Sequence, residues 1–302
     1  MVSKTTTAEV IEDSGYSYSR ISRFAEVGRN EPKPFERSYA SELGKYFEGV
    51  FRDKYDSSYD IREHYYDAGD IPERVINCIL NQEPLDGIVR LKKDGKPYST
   101  DVDLDKHVKK YRAHQPVFPI KGDDVAMCQN LFKNACELEV MGLPLSDYLD
   151  CAEFDVGLIW KNASGVESGV ESGIRKKTQI DILSEVEIDG MKCVVVLDLK
   201  LVASQTQLNQ QWRNYLWIQD RHISEGVQLY ADSIGAECVP FPVFIVGYKD
   251  VELVQEVTVD LDDKHVQKCV DRYDNLVYDY DSWVKEGKKV TGKLEKRTMR
   301  IW

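Results

Sequence analysis

No Cys-x-x-Cys pair and no His-Glu-x-x-His motif occurs anywhere in this 302-residue sequence. Its seven cysteines (78, 128, 136, 151, 193, 238 and 269) stand singly. That scatter reads as reduced, mostly buried thiols and excludes a zinc ribbon or an iron–sulfur cluster. The five histidines (64, 107, 114, 222 and 265) are as dispersed, so any metal has to be held by oxygen. No run of about 18 apolar residues exists, which excludes a membrane-spanning helix. Met1–Gly15 holds one lysine and no apolar stretch, so no secretory signal is expected and the chain reads as cytoplasmic. Positive charge is short as well, with 40 Lys and Arg against 52 Asp and Glu, a net −12. That balance excludes a protein holding nucleic acid by bulk charge, but a local basic track on an acidic body is not excluded.

What is present is a 42% hydrophobic chain, enough to bury a sizeable core. Residues 1–15 are Thr-rich and read as a flexible N-terminus. Residues 16–59 turn helical, with Leu43, Phe47, Val50 and Phe51 on one face and Asn30-Glu-Pro-Lys-Pro34 as connector. Residues 60–150 alternate short helical patterns with charged loops. They form either a mainly helical insertion or lid, or a helical part of the same core. Residues 151–283 carry strand patterns at Glu153–Trp160, Thr178–Ile188, Met191–Val202, Val243–Gly247 and Glu252–Val259. Helical runs follow at Gln205–Asp220, Ile223–Ile234 and Asp263–Glu286, with a loop over the near-duplication Val166–Gly173. Residues 284–302, with seven Lys and Arg against two Glu, form a basic tail. Strands followed by helices that return to a strand predict an α/β core.

Two β-rich runs meet at Asp189-Gly190, the strongest short signal for a hairpin. A two-residue turn there pairs Ile188 with Met191. One face then carries Ile180, Ile182, Val186 and Ile188 with Met191, Cys193, Val195, Leu197 and Leu199, interrupted only by Ser184. Glu187 falls opposite Lys192 on the other face. The same register sets Asp181 opposite Asp198. Two carboxylates facing each other repel, and a fold gains no stability from them. A hard divalent cation turns that liability into a binding site. Lys200 projects from the same strand face as Asp198, where an ammonium can orient a water or stabilise a phosphodiester in reaction. Acid-x-Lys occurs five times in the chain, but only Asp198-Leu-Lys200 interrupts a buried-type strand with an acid aligned across a hairpin.

The order of helix, Asp, hairpin, Asp-x-Lys and a Gln/Tyr helix resembles the PD-(D/E)XK nuclease superfamily, nearest its RecB-like, Cas4-like and lambda-exonuclease-like branch often carried by phages. Ile180-Asp-Ile-Leu183 resembles the first acidic motif, Asp198-Leu-Lys200 the D-x-K, and Tyr18-Ser-Arg-Ile-Ser-Arg-Phe24 the opening helix. Ser41-Glu-Leu-Gly-Lys-Tyr-Phe-Glu48 resembles the helix whose Gly is followed four residues later by His or an acid, here Glu48 at the rim of the apolar face. Gly226-Val-Gln-Leu-Tyr-Ala231 resembles the helix that places a Gln and a Tyr near the scissile phosphate. It departs from that pattern, because Gln228 and Tyr230 are two residues apart and do not share a helix face. A second Gln-x-x-x-Tyr occurs at Gln211–Tyr215.

The resemblance implies a restriction-endonuclease-like core with a central mixed β-sheet flanked by helices. It implies a metal-dependent DNA exonuclease in recombination, repair or phage DNA metabolism, using Mg²⁺ or Mn²⁺. Asp181, Asp198, the Leu199 carbonyl and Glu48 would hold the metal; Lys200 would position the water, and Gln228 would assist. Arg20, Arg23, Arg175, Lys176, Lys177 and Tyr230 are candidates for gripping DNA. The implied partners are DNA, a single-strand annealing or recombination protein, and further copies of the chain. A structure-selective endonuclease and a non-catalytic assembly protein on the same fold are the alternatives.

Overall fold

The computed structural model describes residues 2–27, 37–161, 174–212, 216–239, 241–260 and 262–287. The connector at 30–34, the near-duplication at 166–173, Tyr215 and the basic tail beyond residue 287 lie outside them. In chain order the elements are β1 (Val2–Thr6), α1 (Thr7–Glu12), α2 (Tyr18–Val27), α3 (Tyr39–Tyr55), β2 (Tyr65–Asp67), α4 (Glu73–Leu80) and α5 (Val102–His114). Then come β3 (Phe118–Ile120), α6 (Gly122–Ala135), β4 (Glu139–Val140), β5 (Leu143–Pro144), α7 (Leu145–Asp150), β6 (Ala152–Lys161), β7 (Arg175–Ile188) and β8 (Met191–Val202). The chain continues through α8 (Gln205–Gln211), α9 (Trp217–Ile234), β9 (Glu237–Cys238), β10 (Val243–Tyr248), β11 (Leu253–Val257) and α10 (Lys264–Lys285).

The central sheet has the order β1-β6-β7-β8-β10-β11, with β9 also paired to β8. Its neighbours are antiparallel except for β8–β10 and β8–β9, which are parallel. A parallel neighbour needs a crossover, and α8 with α9 supplies it between β8 and β10. Helices flank this mixed sheet, which is the α/β class expected from the alternation of patterns.

Both faces of the sheet are buried, whereas the sequence pattern assigned only one. On one side Leu43, Phe47 and Phe51 of α3 pack with Ile182, Val195, Leu197, Leu199 and Ile245. On the other, Ile223, Val227 and Tyr230 of α9 pack with Val156, Leu158, Trp160, Val194 and Val196. Such double burial explains why Cys193–Leu199 is an unbroken buried run. Residues 60–150 belong to the first of these cores: Val75, Ile76, Ile120, Leu131, Val140 and Tyr148 share the cluster with α3 and the sheet.

Two other expectations are corrected. Residues 2–15 carry regular structure: β1 pairs along β6 as the sheet edge, and Thr6 with Glu9 forms a capping box on α1. Gly157 permits this close packing, since a Cβ there would lie 3.0 Å from the Thr5 and Thr6 carbonyl oxygens. The helix expected to begin at Ile223 starts at Trp217 and runs to Ile234, where Gly235 at φ 67° stops it. Among the thiols, Cys78, Cys128 and Cys193 are buried, but Cys136 and Cys151 are exposed.

Candidate active site

The β7–β8 hairpin turns through Asp189 (φ 53°) and Gly190 (φ 79°), the left-handed pair that a two-residue turn demands. The ladder runs from Ile188↔Met191 to Ile182↔Leu197, so Asp181 and Asp198 follow as the next opposed positions. Glu187 lies opposite Lys192 as expected, although the Lys192 ammonium pairs with Glu185, at 2.8 Å.

The regular alternation fails at Asp181. The β6–β7 ladder joins Phe154 to Ile182 and Val156 to Ile180, and the intervening Asp155 has φ 54°. On either side of this left-handed residue the two strands present opposite faces. Ile182 and Phe154 pack toward α3, whereas Ile180 and Val156 join the α9 side. Ile180 thus leaves the face that the period-2 pattern gave it. Backbone strain of this kind concentrates at functional sites, and here it delivers Asp155 and Asp181 into a cavity.

That cavity, of about 210 Å³, is lined by Glu48, Asp155, Asp181 and Leu199 among others. Glu48 comes from α3, held by the burial of its neighbours Phe47, Gly49 and Phe51. Asp198 is 2% exposed; its Oδ1 lies 2.6 Å from Lys200 Nζ, and its Oδ2 accepts a hydrogen bond from Gln219 Nε2 at 3.3 Å. Behind this pair, Asp220 is fully buried. Its Oδ2 accepts from Trp212 Nε1 at 3.0 Å, and its Oδ1 has no hydrogen-bond partner among the described residues.

Electrostatics here is a contest between burial and crowded negative charge. Burial, then Asp181 and Asp198, hold the Glu48 carboxyl well above its ordinary value, against the opposing pull of Lys200 and Lys45. Burial and the Asp198 charge push the Asp181 carboxyl up to about 6. Asp220 is likewise held high by burial and by Asp198. Burial alone would lower the Lys200 ammonium, but Asp198, Asp181 and Glu48 outweigh it and the net direction is upward. One cation thus serves several carboxyl groups.

The donor set fits a hard divalent cation: Asp181, Asp198, Glu48 and the Leu199 carbonyl offer oxygen only. Among the described residues no three acidic, histidine or cysteine side chains converge as a ready-made metal cluster. Mg²⁺ does not require one, because it takes one or two carboxylates and completes its shell with waters and phosphate oxygens.

A pH prediction follows from Asp181. Its carboxyl ionises near 3.8 when unperturbed and near 6 in the metal-free fold, so between those values the folded chain holds a proton that the unfolded chain has released. Stability from this group is present at low pH and is lost as pH rises through about 6. A bound cation opposes that loss. Mg²⁺ at a hundredfold excess over its Kd stabilises by about 2.7 kcal/mol, and thermal melts should show most of this gain at pH 7.5 and little at pH 5. Equal gains at both pH values would count against Asp181 as a ligand.

Other candidates lie elsewhere. Gln228 is exposed and donates to Asp232 Oδ1 at 2.9 Å. Nine residues of α9, about 13.5 Å of helix rise, separate it from Gln219, the glutamine that does reach Asp198. Tyr230 is buried on the turn-ward half of the hairpin, donating to Glu185 Oε1 at 2.7 Å. Arg175 pairs with Asp13 (2.9 Å from Nε to Oδ2). Lys176 is buried against Glu225 at 2.6 Å. Lys177 donates to the carbonyls of Val10 (2.6 Å), Ile11 (3.1 Å) and Asp13 (2.5 Å), closing the end of α1. Lys176 and Lys177 are buried where the start of β7 runs beneath α1 and α9, whereas Arg175 stays exposed. Arg20 and Arg23 are exposed on α2.

Sequence reasoning passed over Gln219, Asp220 and Asp155. The available signal was polarity in the wrong place: Gln219-Asp220 follows directly on Leu216-Trp-Ile218, and Asp155 is the one charged residue within Phe154–Trp160.

No family model and no curated protein matches this chain. Among solved structures, the chain is similar to a crystal structure described as "Putative exonuclease" from Eubacterium rectale. The two are 12% identical, with a TM-score of 0.41 over 95% of this chain and 94% of that one. No helix among the described residues is long and apolar enough to cross a membrane.

Proposed function

We propose that this chain is a divalent-metal-dependent deoxyribonuclease acting from strand ends as an exonuclease, in recombination, repair or phage DNA metabolism. The observation that carries the reading is that Glu48, Asp181 and the Asp198–Lys200 pair lie within electrostatic reach of one another at the end of one hairpin ladder, beside the left-handed Asp155. The resemblance of Asp181 and Asp198-Leu-Lys200 to the nuclease motifs supplies the reaction class and the strand-end preference.

When bound, Mg²⁺ or Mn²⁺ lowers the pKa of its water and neutralises charge on the phosphate and leaving oxygens. Asp181, Asp198, Glu48 and the Leu199 carbonyl would hold it. Lys200 orients the attacking water and opposes the charge growing on the phosphate. Gln219 is a positioning residue that fixes the Asp198 rotamer.

Digestion of linear, nicked and closed-circular DNA in Mg²⁺, Mn²⁺ or EDTA tests this, comparing wild type with Asp198→Ala. Metal-dependent loss of linear DNA alone, abolished by the substitution, is the expected result. Cutting of the closed circle would replace the exonuclease with an endonuclease. A folded wild type that digests nothing would overturn catalysis.

A further inference from the structure

The cavity beside Glu48 and Asp181 has a second wall that the hydrolytic chemistry leaves unused. It is made by Lys45, Arg52, Tyr59, His64 and Tyr65. Tyr59 and His64 are stacked, with ring centroids 4.9 Å apart and planes 10° apart. The Arg52 guanidinium lies over the Tyr59 ring, 4.7 Å from its centroid. It is fixed there by Asp56, at 2.8 Å, and by a contact with Asp155. His64 is the exposed end of this guanidinium–phenol–imidazole column. Gly49 allows the column to sit tight against α3, since a Cβ there would lie 2.9 Å from Tyr59 Oη. Lys45, on α3 one turn before Glu48, pairs with Glu42 at 3.3 Å and keeps its side chain 59% exposed at the rim.

Aromatic planes, a solvent-facing cation and carboxylates able to hold a metal are the three groups that a nucleotide contacts through its base, its phosphate and its reacting bond. The volume, about 210 Å³, is below the ~300 Å³ at which drug-sized ligand sites begin. It suits one flat ring system and is too small for a base pair.

We propose that this wall is a nucleobase platform: the Tyr59–His64 column stacks one unpaired base of the strand at the acid site, and Lys45 takes the phosphate beside that base. This rests on the nuclease reading for the identity of the strand. It adds that the nucleotide presented to the acids must be unpaired, and it assigns the recognition to residues 45–65. Stacking on an aromatic face is tolerant of base identity, so the platform selects strand state over sequence.

The test uses the full chain in Ca²⁺ with a short single-stranded oligodeoxynucleotide carrying 2-aminopurine at its end. Wild type should bind it and quench the fluorescence. His64→Ala, on an exposed side chain, should weaken binding by roughly tenfold and lose the quench, and His64→Phe should restore both. In the cleavage assay His64→Ala should raise KM with little change in kcat. Unchanged affinity and KM in His64→Ala overturn the platform, as does binding without quench or no binding by wild type. Displacement of the oligonucleotide by free deoxyadenosine monophosphate at equal concentration would make this a free-nucleotide site and overturn the strand assignment. If wild type binds and quenches but cuts nothing, the nuclease reading fails while the base-stacking column stands.

Discussion

Replacing Lys200 by methionine is expected to lower turnover by about 10³-fold and to destabilise the metal-free protein by about 3 kcal/mol at pH 7.5. The Lys200 side chain is 19% exposed and its ammonium lies 2.6 Å from Asp198 Oδ1, and the Asp181 and Glu48 charges also act on it. Removing it leaves carboxylates crowded together without their cation, and an uncompensated buried charge is the costly case. Two treatments should recover stability without restoring turnover. Lowering the pH to 5 protonates carboxyl groups that burial and mutual repulsion already hold high. The variant raises those values further, so its penalty grows as pH rises through them and fades below. Adding Mg²⁺ replaces the missing positive charge. Urea melts at pH 5 and 7.5, with and without Mg²⁺, read both effects. A loss of stability that ignores pH and metal alike would mean that Lys200 acts by packing its stem and not by its charge.

Turn chemistry and period-2 alternation are local, so Asp189-Gly190 set the register and placed Asp181 against Asp198 before any tertiary information was available. The helix with Glu48 at the rim of Leu43, Phe47 and Phe51 was legible for the same reason. The face switch was not. It depends on Asp155 adopting φ 54°, which nothing in the strand pattern of Glu153–Trp160 announces. Double burial of the sheet was hidden because alternation along β7 resembled a one-sided strand until residue 181.

The edge strand β1 escaped notice because Val2–Thr6 is short and polar. Its stability comes from pairing with β6, a partner about 150 residues away. Gln219 was missed in favour of Gln228 because residue spacing within a helix does not fix where the helix begins along the sheet. Arg175, Lys176 and Lys177 read as a phosphate grip because a run of three cations ordinarily faces water. Only the packing of α1, α9 and α10 reveals that Lys176 and Lys177 are inside.

Lys176 offers the sharpest contrast between those two readings of a cation. Its side chain is 1% exposed, its ammonium lies 4.9 Å from the centroid of the Tyr273 ring, and Glu225 is its ion partner at 2.6 Å. Burial already pulls the ammonium below its ordinary value, with Glu225 opposing that pull. Glu225→Ala removes the opposition and leaves a buried unpaired charge, at an expected cost of about 3–5 kcal/mol. The lysine then loses its proton more readily in the fold than in the unfolded chain. Between its lowered folded value and the ordinary 10.5, the unfolded state binds more protons and stability rises with pH. The deficit of Glu225→Ala against wild type should therefore narrow as pH climbs from 7 toward 10. The double substitution Lys176→Met with Glu225→Leu replaces the pair by apolar groups and should recover most of the loss at every pH. Its affinity for DNA should equal that of wild type. A double variant that folds normally but binds DNA several-fold more weakly would return Lys176 to the phosphate grip that its place in the sequence first suggested.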